Sequence, residues 1–287
     1  MILELGYVTG DVYDRHSRNP TWLAVTSGSD TVARVSNETS ASAVLEVLHE
    51  ITVAVARSLE TLEDWGLAGT RDGQYRSDLV ADQAALDVIG RSGLAALSEE
   101  SGLHDADREI MVVLDPVDGS TNASRGIPWW ATSVCALDAA GPLAAVVVNQ
   151  ATGTRFEATR GGGARRDGVP IRPTSSTSME QSIVALSGYP RHWLGWSQYR
   201  SLGAAALDLC AVACGQVDAF IDCASRPLAP WDYLGGVLIC TEAGAHVAEA
   251  FGANLVVRDH DARRVPIAAG TSDLLAQAVA ARLSLEQ

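Results

Sequence analysis

The spacing of apolar residues divides the chain into helical and extended segments. Over residues 41–67 apolar side chains recur every three or four positions, which predicts a long amphipathic helix. The same spacing predicts a second helix over residues 77–89 and a last helix over about 272–283. A helix over residues 231–243 is predicted to end at Gly244. Another, ending at Gly215, is built on Leu202, Ala205, Ala206, Leu209 and Ala213.

Short apolar runs predict the strands, which we place at residues 110–114, 132–137, 143–149, 183–187, 218–222 and 265–269. A turn at Ala140-Gly141-Pro142 joins the second and third of these into a hairpin. Glycines at 161–163 and the pair Asp167-Gly168 indicate further hairpins. Because helices and strands interleave without a repeated βαβ unit, the pattern predicts a mixed α/β fold in stacked layers.

The first part of the chain differs from the rest. Residues 1–38 mix Gly, Ser, Asn and Thr with scattered apolar residues and show no long periodicity. We interpret them as an N-terminal extension, followed by one domain over residues 39–287. We expect this domain to consist of two closely packed lobes, at about 39–180 and 181–287.

Composition limits the classes of function. The net charge of −14 and the pI near 4.7 argue against nucleic acid and anionic membranes as partners. No apolar run approaches the roughly 20 residues of a membrane span, and no signal peptide is recognisable. The five cysteines lack a CxxC pair, so we expect buried free thiols and a cytoplasmic location. An acidic protein that binds phosphate needs cations to do so.

The clearest chemical motif directly follows the apolar run at 110–114. Residues 115–122 read DPVDGSTN, which puts Asp115 and Asp118 on one turn made rigid by Pro116. Two carboxylates this close require a cation between them, and oxygen ligands favour Mg²⁺, Mn²⁺ or Ca²⁺. A helix starting at Gly119 and Ser120 would offer amide groups to a phosphate. The alternative is a surface turn, since these residues also form turns.

Three further motifs make the pattern specific. Residues 98–101 read SEES, residues 77–83 read SDLVADQ, and the segment from Trp231 to Gly244 has the form WDxxxGxxxxxEAG. With DPVDGSTN, they resemble, in order, the signatures of the inositol monophosphatase family. The resemblance extends from about residue 41 to the C-terminus. It implies a layered αβαβα sandwich of the inositol monophosphatase/fructose-1,6-bisphosphatase type.

The resemblance also implies a set of metal ligands and catalytic residues. Glu99, Asp115 and the Val117 carbonyl would hold one Mg²⁺, and Asp115, Asp118 and Asp232 a second. A third cation would bind more weakly near Asp82, which we count among the catalytic residues, and Mn²⁺ could substitute for Mg²⁺. Two such ions can contact both the attacking and the leaving oxygen.

Water activated at this centre would be the nucleophile, oriented and deprotonated by Glu99 with Ser120. The amides of Gly119 and Ser120 would bind phosphate oxygens. On the substrate side, the resemblance places Ala205 beside the substrate and Asp222 near its hydroxyl groups. Helix packing and a strand end are the alternative interpretations of Ala205 and Asp222.

The expected activity is hydrolysis of a small phosphate monoester, with inositol monophosphate as the first candidate substrate. Histidinol phosphate, 3′-phosphoadenosine 5′-phosphate and fructose 1,6-bisphosphate are the alternatives, and residues 187–230 would decide among them. By resemblance we expect a homodimer and inhibition by lithium. A regulatory role with the transcription machinery is the alternative of another class. Trp129 and Trp130 follow the DPVDGSTN segment. We expect them to pack in the core or at an interface, in preference to lining the site.

Overall fold

The computed structural model describes residues 40–286. The interpretation of residues 1–38 as an extension falls outside this range, and the division into two lobes stays a prediction. In the described range the α-helices are α1 (Ala41–Glu60), α2 (Arg76–Ser92), α3 (Ser120–Arg125), α4 (Ala205–Ala213), α5 (Pro230–Ala243) and α6 (Ser272–Leu283). The strands are β1 (Ala95–Ser98), β2 (Gly102–His104), β3 (Met111–Asp118), β4 (Ala131–Asp138), β5 (Gly141–Asn149), β6 (Arg155–Thr159), β7 (Gly163–Arg166), β8 (Val169–Pro170), β9 (Ile183–Gly188), β10 (Gln198–Arg200), β11 (Ala219–Cys223), β12 (His246–Glu249) and β13 (Pro266–Ala269).

The strands form two sheets. The larger has the order β2-β1-β3-β4-β5-β6-β7-β8 and is antiparallel except for the parallel pair β1–β3. The smaller has the order β10-β9-β11-β13-β12, with β10, β9 and β11 parallel to one another. The parallel strands β9 and β11 therefore end at the same edge.

Helices cover both sheets. Helices α1 and α2 pack on one face of the larger sheet, α4 and α5 lie between the sheets, and α6 covers the smaller sheet. Successive residues of a strand point to opposite faces, so Val112 of β3 faces α1 and α2 while Val113 faces α4 and α5. Burial on both faces explains the continuous apolar run in the first half of β3, Met111 to Leu114. The predicted αβαβα sandwich is confirmed.

Most predicted elements are present, with shifts at their ends. The first helix is shorter than the predicted 41–67, because the chain leaves the helix after Glu60 and Leu67 forms a β-bridge with Tyr75. The predicted strand at 110–114 extends to Asp118. The pattern missed β1, β2, β10 and β12, each of only three or four residues and too short for a period.

Three smaller expectations concern hairpins, cysteines and tryptophans. The glycines at 161–163 and Asp167-Gly168 do connect β6 to β7 and β7 to β8. All five cysteines are free thiols; four are buried, and Cys214 is half-buried. Trp129 and Trp130 pack against the two cores of the larger sheet, as favoured. In the described range no helix has both the length and the apolar character required to cross a membrane.

Candidate active site

The centre of the site is a bulge in β3. Asp115 pairs with Ser133 and Asp118 with Ala131, so two residues of β3 lie opposite Thr132 alone. Pro116 lacks an amide donor, which a bulge tolerates, and its carbonyl accepts a hydrogen bond from the Thr132 hydroxyl at 2.9 Å. In a regular strand, the side chains of Asp115 and Asp118 would point to opposite faces of the sheet. The bulge between them changes this alternation.

Three carboxylates converge beside this bulge. Oxygens of Glu99, Asp115 and Asp232 all lie within 4.8 Å of one another. We refer to these three residues as the acidic centre. Glu99 follows the end of β1, where its amide bonds the Leu114 carbonyl of the parallel strand β3 at 3.1 Å. Asp232 lies in the first turn of α5, and its Oδ2 accepts the Ala229 amide at 2.7 Å. The end of β1, the bulge of β3 and the start of α5 therefore meet at this point.

Burial and mutual repulsion raise the pKa of each of these carboxyl groups. The pKa of Glu99 rises to about 8, chiefly through burial and then through the charge of Asp232. The pKa of Asp232 rises to about 7 through burial and the charge of Asp118. Asp115, 2% exposed, has its pKa raised well above the ordinary value by burial and then by Glu99. Such a set of oxygen ligands, with Asp115 buried and Glu99 and Asp232 half-buried, matches a hard divalent cation.

Asp118 occupies a different place from these three. Among the described residues, the group of mutually close carboxylates does not include it. Its Oδ2 accepts the amide of Ala206 at 2.8 Å, in the first turn of α4. Burial raises the pKa of Asp118 to about 8, and the charges of Asp208 and Glu99 add to the effect. Asp118 thus connects the bulge to α4.

The expected phosphate-binding turn begins a helix, as predicted. Gly119 precedes α3 with φ of +87°, and a side chain there would meet the Gly203 carbonyl at 3.0 Å. Positive φ and this close backbone approach together explain the glycine. Ser120 is the first residue of α3 and is partly exposed. Val117, whose carbonyl is a predicted ligand, is a buried residue of the bulge.

The two acidic residues of α2 have different surroundings. Asp82 is buried and accepts a hydrogen bond from Ser98, so it lies against the residue that precedes Glu99. Asp78, which sequence reasoning did not select, is a closer electrostatic neighbour of the site. Its charge contributes to the raised pKa of both Glu99 and Asp115, and burial raises its own pKa to about 6. The assignment of a catalytic role to Asp82 stays a prediction.

The substrate-side residues lie at the start of α4 and the end of β11. Ala205 is the first residue of α4 and is buried. Asp222 is fully buried: its Oδ1 accepts the Ala224 amide at 3.0 Å, and within residues 40–286 its Oδ2 has no hydrogen-bond partner. A substrate hydroxyl would reach Asp222 only after the surrounding chain moves. Its assignment to substrate binding therefore stays a prediction.

Basic side chains surround the acidic centre, and sequence spacing gave no signal for them. Arg71 forms an ion pair with Glu100 at 2.8 Å. His260 approaches the Glu99 carbonyl with its Nε2 at 3.4 Å and packs on the ring of Trp231. The guanidinium of Arg263 lies 5.5 Å from the centre of the Trp231 ring, and its charge lowers the pKa of Asp232. These residues come from loops distant in sequence.

Solved structures share this fold. A hypothetical protein from Pyrococcus horikoshii with similarities to inositol-1 monophosphatase superposes with a TM-score of 0.74 at 25% identity, covering 83% of this chain and 98% of that one. The extragenic suppressor protein SuhB from Bartonella henselae gives a TM-score of 0.70 at 27% identity, covering 84% and 98%. The fold and its acidic centre place the chain in the class of αβαβα-layered phosphatases.

Sequence comparison identifies the family. The model of the inositol monophosphatase family matches residues 30–285, and the chain belongs to that family. The fructose-1,6-bisphosphatase/inositol-1-monophosphatase of Archaeoglobus fulgidus is 32% identical over 219 residues, 73% of this chain and 84% of that protein. The Nus factor SuhB of Escherichia coli is 30% identical over 218 residues, 69% and 80%. As a member of the family, the chain is a phosphoric monoester hydrolase.

Proposed function

We propose that the protein hydrolyses a small phosphate monoester in a Mg²⁺-dependent reaction with water as the nucleophile. The observation that carries the proposal is the convergence of Glu99, Asp115 and Asp232 within 4.8 Å, in surroundings that raise the pKa of all three. Three carboxylates this close are stable in their charged form only beside a cation. Two to three Mg²⁺ ions, or Mn²⁺ in their place, are the cofactors we expect.

The residues of the site divide into two sets of metal ligands. Glu99, Asp115 and the Val117 carbonyl would hold one ion, and Asp115, Asp118 and Asp232 a second. When bound, the ions supply Lewis-acid stabilisation of the charge that develops on the phosphoryl oxygens. Each aspartate keeps one oxygen in a hydrogen bond to a backbone amide: Asp115 to Val117, Asp118 to Ala206 and Asp232 to Ala229. These bonds fix the direction of the remaining oxygen.

The side chains around the ions have separate tasks. Glu99 accepts a proton from the attacking water, and the hydroxyl of Ser120 helps to orient that water. The amides of Gly119 and Ser120, at the start of α3, hold the phosphate oxygens. Because attack comes from water, no side chain becomes phosphorylated.

Inositol monophosphate is the substrate that we place first. The name of the Archaeoglobus fulgidus relative refers to both inositol-1-monophosphatase and fructose-1,6-bisphosphatase activity in that protein, which supports a small polyol phosphate here. Ala205 and Asp222 would contact the polyol part. Histidinol phosphate, 3′-phosphoadenosine 5′-phosphate and fructose 1,6-bisphosphate are the alternatives to test. By family likeness we propose a homodimer.

The test is phosphate release from a panel of these monoesters, with Mg²⁺ and with chelator, for the wild type and Asp115→Asn. We expect release that requires Mg²⁺ and falls at least about a thousandfold in the variant, because the shared ligand is lost. Asp138→Asn is the matched control, since Asp138 ends β4 and pairs with Arg160 instead of the acidic centre. Folded wild-type protein that releases no phosphate from any panel member would contradict the proposal.

Lithium gives a second test of the same site. Inhibition of the Mg²⁺-dependent activity by millimolar lithium is expected if a cation site here behaves as in the family. The Escherichia coli relative is named Nus factor SuhB, and a regulatory role with the transcription machinery is the alternative of another class. No feature of residues 40–286 specifically favours such a role for this chain.

A further inference from the structure

A buried carboxylate beside the site is not used by the proposed reaction. Asp208 lies on α4 and is 1% exposed. Its Oδ1 accepts a hydrogen bond from the indole Nε1 of Trp129 at 2.9 Å, across 79 residues of sequence. In the described part of the chain this is its one recorded hydrogen-bond partner. A buried carboxylate with so few partners is costly, so its position requires an explanation.

Trp129 and Asp208 belong to two chain segments that meet beside the acidic centre. The segment 118–129 contains Asp118, α3 and Trp129, and the segment 202–208 forms the start of α4. Asp118 accepts the Ala206 amide at one end of this contact, and Trp129 donates to Asp208 at the other. Two bonds at separate points fix both the position and the rotation of α4 relative to the first segment.

Asn122 connects the same two segments between these bonds. Its Nδ2 donates to the carbonyl of Trp129 and to the carbonyl of Leu202, each at 2.7 Å. Gly119 and Gly203 permit this close approach, because a side chain on Gly119 would meet the Gly203 carbonyl and one on Gly203 would meet Asn122. The contact between the segments is therefore tight and polar throughout.

We propose that Trp129 and Asp208 form a positioning pair that holds α4 against the segment 118–129, and so fixes Asp118 for metal binding. The inference rests on the proposed function, in which Asp118 is a metal ligand. Neither residue of the pair is one of the proposed metal ligands. They act through the Ala206 amide, whose hydrogen bond orients the Asp118 carboxylate. Groups that orient a ligand commonly change metal affinity by about 10- to 100-fold when they are removed.

The experiment measures Mn²⁺ affinity by electron paramagnetic resonance on the folded full chain, well below its melting temperature. We expect Trp129→Phe and Asp208→Leu each to weaken Mn²⁺ binding by about tenfold or more. The double variant should be little weaker than either single variant, because the two residues act as one unit. Asp208→Asn retains an oxygen acceptor for the indole and should recover most of the affinity lost in Asp208→Leu.

A matched control separates positioning from general stability. Thr174 donates to Asp218 at 2.7 Å in a partly buried pair, and neither residue belongs to the group of mutually close carboxylates. Thr174→Val should lower the melting temperature without changing Mn²⁺ affinity. If Trp129→Phe and Asp208→Leu lower the melting temperature and leave Mn²⁺ affinity unchanged, the positioning role is wrong. A wild type that binds no Mn²⁺ would instead overturn the proposed function, and this inference with it.

Discussion

The hydroxyl of Ser98 donates a hydrogen bond to the carboxylate of Asp82, which joins the end of β1 to the middle of α2. Ser98 is completely buried, and its oxygen also accepts the amide of Glu100 at 3.1 Å. Both bonds flank Glu99, the carboxylate at the centre of the site. Within residues 40–286, the Ser98 hydroxyl is the hydrogen-bond partner of the buried Asp82 carboxylate.

We expect Ser98→Ala to destabilise the protein by about 1–3 kcal/mol, the usual effect of leaving a buried polar group without its partner. Mn²⁺ affinity should change little, because the variant removes no ligand. Urea unfolding and Mn²⁺ titration measure the two quantities. Ser92→Ala is the control: Ser92 is also buried, but its hydroxyl bonds only the Val88 carbonyl within α2, so a smaller loss is expected. Equal losses would contradict the special role of Ser98.

The same Mn²⁺ titration can distinguish the contributions of Asp78 and Asp82 to metal binding. Asp78→Asn removes a charge that acts on Glu99 and Asp115, and we expect Mn²⁺ affinity to fall about tenfold. The asparagine can still accept the Tyr75 amide that now bonds Asp78 at 2.8 Å, so α2 should keep its start. Asp82→Asn should change the affinity less, because its carboxylate bonds Ser98. A larger effect at Asp82 would support the assignment of Asp82 made from the sequence.

The sequence predicted the acidic centre because its members lie in motifs that resemble the inositol monophosphatase signatures. Asp115 also follows an apolar run, and Asp232 follows a proline that begins a helix, so each motif could be placed at a boundary between elements without coordinates. In α2 the SDLVADQ motif contains two aspartates, and only the packing of the helix distinguishes Asp78 from Asp82. The bond between Trp129 and Asp208 joins residues that no local pattern relates. Contacts made by loops, such as that of His260 with Glu99, were likewise inaccessible to periodicity.

The raised pKa values predict an unusual pH dependence of stability without metal. The pKa of Glu99 and of Asp118 is about 8 in the folded protein, and that of Asp232 is about 7, against about 4 for carboxyl groups of an unfolded chain. Between about pH 4 and pH 8 these three groups therefore bind more protons in the folded state than in the unfolded state. Their contribution to stability falls as the pH rises through this range and levels off above it.

Melting curves in chelator from pH 5 to pH 8 should show this decrease, with a fall of at least about 3 °C. Saturating Mg²⁺ should remove or reverse the trend, because the cation binds the deprotonated carboxylates. Asp115→Asn should weaken the dependence in chelator, since it removes one charge from the cluster. A melting temperature that rises with pH in chelator would contradict this prediction. It would show that these carboxyl groups ionise in the folded protein without lowering its stability.

Glu242 belongs to the EAG part of the family signature, yet its contacts are structural. Its Oε1 accepts the amide of Gly161 at 2.8 Å and its Oε2 the amide of Gly163 at 2.9 Å, so the C-terminal end of α5 holds the turn between β6 and β7. Glutamine offers one acceptor oxygen, and its amide group would face the second N–H. We expect Glu242→Gln to lower the free energy of unfolding by about 1–3 kcal/mol.

The rate of Mg²⁺-dependent phosphate release per folded molecule should be unchanged in Glu242→Gln, because this turn contributes no group to the acidic centre. Glu46→Gln, at an exposed position of α1, controls for the loss of one negative charge and should alter stability by no more than about 0.5 kcal/mol. Urea unfolding and initial rates at low temperature measure both effects. Loss of activity with unchanged stability would place Glu242 in the catalytic site instead, since only a role in the reaction lowers the rate of a fully folded enzyme.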